Sequence, residues 1–166
     1  AAQGNLKAMN NLGVCYMRGQ GTQKDYKQAL KWISKAAEKG HPTAQNNLGY
    51  MYEWGIGVTE NWTKSFQWYE KAALNGFPLG MDNLGFLYET GTGVERDYAK
   101  AVEWYTKGAE AGSATACFHL AWMYKEGKGV PQSEKIATKW FDRFHEIKSQ
   151  HDFHETDTAA AALGVR

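Results

Sequence analysis

This sequence of 166 residues contains little cysteine or proline and has almost no excess of one charge. Nineteen basic residues face eighteen acidic ones, which leaves a formal net charge of +1. Non-specific nucleic-acid binding needs a dense positive field, so nucleic acid is not expected as a partner. The two cysteines, Cys15 and Cys117, lie far apart and exclude a disulfide framework or a metal site built on paired cysteines. Both fall in apolar helical registers, and we expect two buried free thiols.

Long hydrophobic runs are also missing. No stretch of 18 apolar residues occurs, so no transmembrane helix is expected. A basic-then-apolar leader of the signal-peptide type is absent as well, which leaves the compartment open between cytoplasm and periplasm. Apolar residues nevertheless make up 43% of the chain and aromatic residues 14%, a composition that favours a folded core over disorder.

Glycine is abundant, and its positions reveal an internal repeat of 36 residues. Leucine, tyrosine and tryptophan follow the same period. The ladders are Gly4, Gly40, Gly76, Gly112; Gly19, Gly55, Gly91, Gly127; Gly21, Gly57, Gly93, Gly129; Gly13, Gly49, Gly85 with Ala121; Leu12, Leu48, Leu84, Leu120; Tyr16, Tyr52, Tyr88, Tyr124; and Trp32, Trp68, Trp104, Trp140. The chain is therefore predicted to contain four copies of one structural unit.

Each unit reads as two helices, A and B. In the first unit the apolar positions of helix A recur at helical spacing, and Gly-x-Gly is predicted to end it. Helix B is predicted to begin after an N-cap residue at Asp25, Asn61, Asp97 or Ser133. The glycine inside helix A, as at Gly13, costs ~1 kcal/mol relative to alanine, so its recurrence indicates close approach of a neighbouring helix.

The predicted fold class is therefore an all-α solenoid, because a single helix pair of this size cannot bury its apolar face alone. The four repeats are placed at about 4–39, 40–75, 76–111 and 112–147, so that the solenoid covers 1–147. Residues 148–166 are expected to form a C-terminal tail or a capping helix, with 158–163 as its helical part. Residues 1–4 match 37–40, which indicates a fragment of a longer array.

The combined spacing resembles the Sel-like repeat (SLR) family, which is related to the tetratricopeptide repeats. The third unit carries the resemblance best, reading LGFLYETGTGVERDYAKAVEWYTKGAEAG over 84–112. This resemblance implies a right-handed α-α superhelix that acts as an adaptor in bacterial protein complexes. It also implies that helices A line a concave groove where another protein or a peptide segment binds. One specific version is an effector inhibitor or immunity protein.

A polar ladder is predicted to face this groove. It consists of Asn11, Asn47, Asn83 and, at the fourth position, His119. Amides offer both a donor and an acceptor, so the ladder is a candidate for binding the backbone of an extended peptide. The alternative is that these side chains bond neighbouring helices, since buried polar groups must be satisfied.

An aromatic ridge is the second candidate for partner binding. It is formed by Tyr50, Trp54, Phe86, Phe118 and Trp122, and Val14 stands at the corresponding place in the first repeat. Exposed apolar surface of this kind marks interaction sites, whereas the competing interpretation is ordinary packing between repeats. Trp54 and Trp62 are singled out because neither belongs to the repeated ladders, so the architecture alone does not account for them.

Signals for catalysis are weak. His145, His151 and His154 with Asp152 and Glu155 suggest a metal cluster, but the order HDFHE differs from H-E-x-x-H and a solvated polar segment is favoured. No residue stands in a recognisable catalytic context, and no cofactor or metal is expected. Two alternatives stay open: a hydrolase acting on cell-wall components, as proposed for a cysteine-rich branch of the family whose paired cysteines this chain lacks, and a structural spacer. The oligomeric state is left open.

Overall fold

The computed structural model describes the backbone of residues 2–162 and the side chains of residues 3–150. Eight α-helices and no strand occur in this part of the chain. They are α1 (Ala2–Arg18), α2 (Tyr26–Glu38), α3 (Pro42–Trp54), α4 (Trp62–Leu74), α5 (Pro78–Thr90), α6 (Tyr98–Glu110), α7 (Ala114–Glu126) and α8 (Glu134–Ala162). The predicted all-α solenoid of helix pairs is confirmed.

Each helix packs against the next one along the chain, and the odd-numbered helices also contact each other across repeats. Thus α1 touches α3, α3 touches α5, and α5 touches α7, whereas the even-numbered helices of successive repeats have no such contact within the described residues. In a curved array the helices that lie closer together occupy the inner side. Helices A therefore form the concave face, as predicted.

The predicted caps are present. The Asp25 carboxylate accepts hydrogen bonds from the backbone N–H groups of Lys27 and Gln28, and Asn61 and Asp97 cap their helices in the same way. Ser133 Oγ accepts from Ile136 N–H at the start of α8. Helices α3, α5 and α7 each end at a glycine in the left-handed conformation, for example Gly55 with φ 61°.

The glycine inside helix A permits a close approach, as its recurrence predicted. A Cβ atom at Gly49 would lie 2.8 Å from Cδ1 of Tyr69 on α4, and one at Gly85 would lie 2.7 Å from Cδ1 of Tyr105 on α6. Both tyrosine rings are fully buried. The missing side chain thus lets a large aromatic ring lie directly beneath helix A.

A second close approach joins successive repeats through their backbones. A Cβ at Gly57 would lie 2.7 Å from the carbonyl oxygen of Tyr26, the first residue of helix B in the preceding repeat. Gly129 stands in the same relation to Tyr98. Both glycines also have positive φ, so two independent constraints select glycine here.

The core consists of two clusters of buried apolar residues, one centred on Ala29, Ile33 and Leu48 and the other on Leu84, Tyr105 and Leu120. The four tryptophans of the repeated ladder are half-buried, and Trp68, Trp104 and Trp140 pack against these clusters. Each of three carries the ammonium group of the lysine three positions later over its ring, at 5.6 Å for Trp32, 4.1 Å for Trp68 and 4.3 Å for Trp104.

Two expectations need correction or restriction. Cys117 is a buried free thiol as predicted, but Cys15, in the first repeat, is only half-buried. Helix α8 continues through residue 147 to Ala162 without a break, so 158–162 belong to it, while 163–166 lie outside the described residues. No helix in the described part combines the length and the apolar character needed to cross a membrane.

Candidate functional site

The concave groove is the inner face formed by α1, α3, α5 and α7. A cavity of about 640 Å³ lies over α3 in the second repeat. Helices α1 and α5 form its sides, and it opens to solvent. The lining residues are Met17, Arg18, Tyr26, Asn46, Asn47, Tyr50, Glu53, Trp54, Ile56, Tyr69, Leu79 and Asn83. A volume of this size accommodates a large side chain together with part of the backbone that carries it.

The asparagines of the polar ladder form hydrogen bonds between neighbouring repeats. This arrangement corresponds to the alternative interpretation of the ladder. Asn47 Nδ2 donates to Asn10 Oδ1 at 2.9 Å, and Asn83 Nδ2 donates to Asn46 Oδ1 at 2.9 Å. The acceptors Asn10 and Asn46 are buried. Each of these bonds therefore satisfies a buried amide on the helix A of the preceding repeat.

His119 continues this ladder in the fourth repeat. Its Nδ1 lies 2.9 Å from Oδ1 of Asp82, a buried carboxylate at the position equivalent to Asn46. A carboxylate only accepts hydrogen bonds, so the His119 imidazole is the donor and Asp82 is the acceptor, as the later asparagine donates to the earlier one in the other repeats. Burial lowers the pKa of His119, but the hydrogen bond and the charge of Asp82 outweigh burial, so that the net pKa is raised above its ordinary value. Asn11, in the first repeat, is exposed.

The ladder leaves acceptors facing the groove. Because Asn47 and Asn83 donate through Nδ2, their Oδ1 atoms remain, and both residues line the cavity. Neither Oδ1 accepts a hydrogen bond from the residues that the structure describes. The donors of these two asparagines are therefore used within the fold, and their carbonyl oxygens are not.

Two buried tyrosines each bind a carboxylate on the helix A of their own repeat. The Tyr69 hydroxyl donates to Glu53 Oε2 at 2.5 Å, and in the next repeat Tyr105 donates to Glu89 Oε2 at 2.7 Å. Burial, then the bonded carboxylate, raises the pKa of both tyrosines, so they remain protonated donors. Sequence reasoning missed these pairs. Their signal was a tyrosine sixteen residues after a glutamate, repeated once.

The structure divides the predicted aromatic ridge into two parts. Tyr50 and Trp54 line the cavity with their ring centroids 6.2 Å apart, and Trp54 is 64% exposed. At the other end, the Phe118 ring lies 5.4 Å from that of Phe144, and Trp122 meets Phe141 edge to face at 5.9 Å.

All five ridge residues keep exposed surface, including Phe86, which lies between the two parts. The second part is nevertheless packed against α8. The alternative of packing therefore applies to Phe118 and Trp122, while Tyr50 and Trp54 present the more open surface.

The interpretation of Trp62 as an unrepeated aromatic was wrong. It is the first residue of α4, and the equivalent residues of α2 and α6 are Tyr26 and Tyr98. Gly93 of the following repeat packs on the Trp62 backbone, and the indole N–H donates to the Glu60 carboxylate at 3.0 Å. The architecture thus accounts for an aromatic residue at this position, and Trp54 alone is left as a candidate of the pair.

The proposed histidine cluster falls mostly outside the residues whose side chains are described. His145 is exposed and its ring lies 5.0 Å from that of Phe144. Within the described residues no group of three or more histidine, cysteine or acidic side chains is placed to hold a metal ion.

The family model described as Sel1 repeat matches four consecutive segments, residues 6–41, 42–77, 78–113 and 114–144. Together they cover most of the chain. Each matched segment begins close to the start of a helix A, two residues after the start of the predicted repeat. The 36-residue period is the same in both, and only the chosen starting point differs. A comparison with curated proteins found no significant match.

Solved structures agree with this match. A Sel1 repeat protein from Oxalobacter formigenes is 38% identical over 86% of this chain, with a TM-score of 0.83. A protective antigen of uropathogenic Escherichia coli with an SLR fold is 37% identical over 87% of the chain, with a TM-score of 0.82. The chain spans only 58% and 31% of those two proteins. Cysteine-rich protein B of Helicobacter pylori is 30% identical over 75% of this chain and 89% of its own, with a TM-score of 0.60.

Proposed function

The chain belongs to the Sel1 repeat family, and on that premise we propose that its concave groove binds an extended segment of a partner protein. Sel1 repeats form scaffolds typical of protein–protein interaction and are generally not enzymes. The observation that carries the proposal is the exposed pair Tyr50 and Trp54 beside the 640 Å³ cavity. Large aromatic side chains that stay exposed in a folded scaffold are the usual anchors of interfaces.

The polar groups of the groove support a peptide as the bound form. The Oδ1 atoms of Asn47 and Asn83 stand one repeat apart along the groove, and each can accept a hydrogen bond from a ligand because only Nδ2 is used within the fold. Backbone N–H groups of an extended segment supply such donors at regular spacing. The aromatic pair then contributes apolar contact area, and the amide oxygens fix the position of the bound segment along the groove.

A pull-down from the source cell tests the proposal when three forms of the chain are compared. The doubly substituted Tyr50→Ala/Trp54→Ala form should lose the captured protein, whereas Leu74→Ala should retain it, since Leu74 is 70% exposed at the end of a helix B. Circular dichroism should be the same for all three forms. Equal capture by the wild type and the doubly substituted form would refute the groove as the binding site.

The inhibitor or immunity-protein version adds one expectation to this proposal. The captured protein is then an enzyme whose cleft the groove covers, and its activity falls when this chain is added. The competing hypothesis, a hydrolase of cell-wall components, predicts turnover by the purified chain alone. An assay on cell-wall fragments separates the two, and robust turnover by the wild type would reverse the proposal.

A further inference from the structure

The second-repeat cavity has a wall composed of hydrogen-bond acceptors. Glu53 presents a carboxylate, of which Oε2 accepts from Tyr69. Asn47 and Asn83 present Oδ1 atoms, because their Nδ2 groups are used in the ladder. A ligand group that satisfies this wall must be rich in donors.

The same cavity also has an aromatic wall that no cation of the chain covers. Trp122, like the ladder tryptophans Trp32, Trp68 and Trp104, has a lysine over its ring, Lys125 at 4.6 Å. The residue three positions after Trp54 is Gly57, and no lysine or arginine of the described residues lies over Trp54 or Tyr50. Trp54 is therefore the exposed tryptophan with an unoccupied face in this region.

The charge of Glu53 also favours a cationic group in the ligand. Within residues 3–150, Glu53 forms no salt bridge, although the nearby Arg18 lines the same cavity. Arg18 is exposed at the end of α1, where solvent and salt screen its charge. The buried Tyr69 hydroxyl fixes the Glu53 side chain, so the carboxylate is already oriented before any ligand arrives.

We infer that this cavity receives an arginine side chain of the bound segment, with Glu53 as counter-ion, Asn47 and Asn83 as further acceptors, and Trp54 as the stacking surface. A guanidinium carries five N–H donors in one plane, which suits several acceptors at once, and its flat face stacks on indole. Lysine offers a compact charge with three donors and no face to stack. The inference rests on the proposed groove function and specifies one position in it.

A displayed random peptide library, selected on the wild-type chain, supplies the probe. Enriched peptides should contain arginine in excess, and their binding should depend on Tyr50 and Trp54. One such peptide is then synthesised with arginine and with citrulline, the neutral isostere, and its affinity is measured by fluorescence anisotropy. Replacing arginine by citrulline should weaken binding to the wild type roughly tenfold.

The matched variants are Glu53→Gln and Glu89→Gln. Glutamine keeps an oxygen to accept from the tyrosine but removes the charge, and Glu89 makes the same bond to Tyr105 outside this cavity. Glu53→Gln should weaken binding of the arginine peptide roughly tenfold and leave binding of the citrulline peptide nearly unchanged. The reason is that Glu53→Gln and the change from arginine to citrulline remove the same ion pair. Glu89→Gln should bind like the wild type.

Two results would overturn the inference, and they are distinguishable. Peptides that depend on Tyr50 and Trp54 but show no excess of arginine, or that bind Glu53→Gln as tightly as the wild type, would refute the arginine site and leave the groove function intact. A selection in which no peptide depends on Tyr50 and Trp54 would overturn the groove function and the arginine site together.

Discussion

The Tyr69 hydroxyl donates a 2.5 Å hydrogen bond to the Glu53 carboxylate, which links the buried face of α4 to the groove surface of α3. The tyrosine ring reaches that position because Gly49, one turn before Glu53, has no side chain to obstruct it. Gly85, Glu89 and Tyr105 repeat the arrangement in the third unit. A core packing feature thus orients a charged group on the binding face.

Tyr69→Phe removes the hydroxyl and leaves the ring in place. The free energy of unfolding should fall by about 1.5–2 kcal/mol, since a hydrogen bond to a charged group is lost inside the fold. Urea denaturation followed by circular dichroism measures the change. Tyr105→Phe should show a similar loss, and the exposed Tyr26→Phe should show none. An unaltered stability of Tyr69→Phe would contradict the role given to this bond.

Gly49→Ala introduces a methyl group where a Cβ would lie 2.8 Å from the Tyr69 ring. Crowding should outweigh the better helix propensity of alanine, with a net loss of about 1–2 kcal/mol. Gly4→Ala is the control, because a Cβ there meets nothing within 4 Å. Thermal unfolding of both forms tests the prediction, which would be wrong if Gly49→Ala were as stable as Gly4→Ala.

The His119–Asp82 pair makes stability depend on pH. Since the pKa of His119 is raised in the fold, the pair stabilises the protein fully below the unfolded value and less as pH rises through the folded value. Burial remains when Asp82→Asn removes the charge, so the pKa of His119 should then fall. Histidine ring signals in NMR titrations of the wild type and of Asp82→Asn report the pKa of His119 in each form.

His41 provides an internal reference for that titration. Burial, then the charge of Lys7, lowers its pKa, and its Nδ1 accepts the Ala44 N–H at the start of α3. The wild-type spectrum should therefore contain one histidine titrating above the ordinary value and one below it. Only the first should move in Asp82→Asn. A His119 pKa that is insensitive to this substitution would show that Asp82 does not control it.

The two parts of the aromatic ridge should respond differently to alanine. Trp122→Ala removes an edge-to-face contact with Phe141 and should reduce the free energy of unfolding by about 2 kcal/mol. Trp54→Ala removes a mostly exposed side chain and should change stability by less than about 0.5 kcal/mol. Urea denaturation of both variants measures this contrast. Equal losses would mean that Trp54 is also a packing residue.

The fold was predictable because the local signals of each repeat agree. Gly55 and Gly91 end helices A, Asp25 and Asp97 begin helices B, and the same period runs through leucine and tryptophan. Such signals act over a few residues, so the sequence contains them explicitly. The exposure of Leu12, by contrast, was not predicted from its ladder, since burial there depends on a neighbouring helix pair and not on periodicity.

The site was only partly predictable. Asn47 and Asn83 were identified, but their partners Asn10 and Asn46 were not, because the bonds join residues 37 apart on different helices. The bond between Tyr69 and Glu53 was missed for a different reason. The equivalent positions in the first repeat hold Met17 and Ile33, which interrupts the pattern. The cavity itself depends on how three helices splay, which no local spacing encodes.

The contact between Gly57 and the Tyr26 carbonyl, and its counterpart at Gly129 and Tyr98, has a consequence for evolution and design. These two contacts join successive repeats through main-chain atoms, which every amino acid possesses, and use none of the side chains that face inward. Substitution at inward positions outside the polar ladder can therefore alter which protein is recognised while these main-chain contacts stay in place. Individual repeats could accordingly be exchanged as cassettes to build chains with new binding preferences on an unchanged frame.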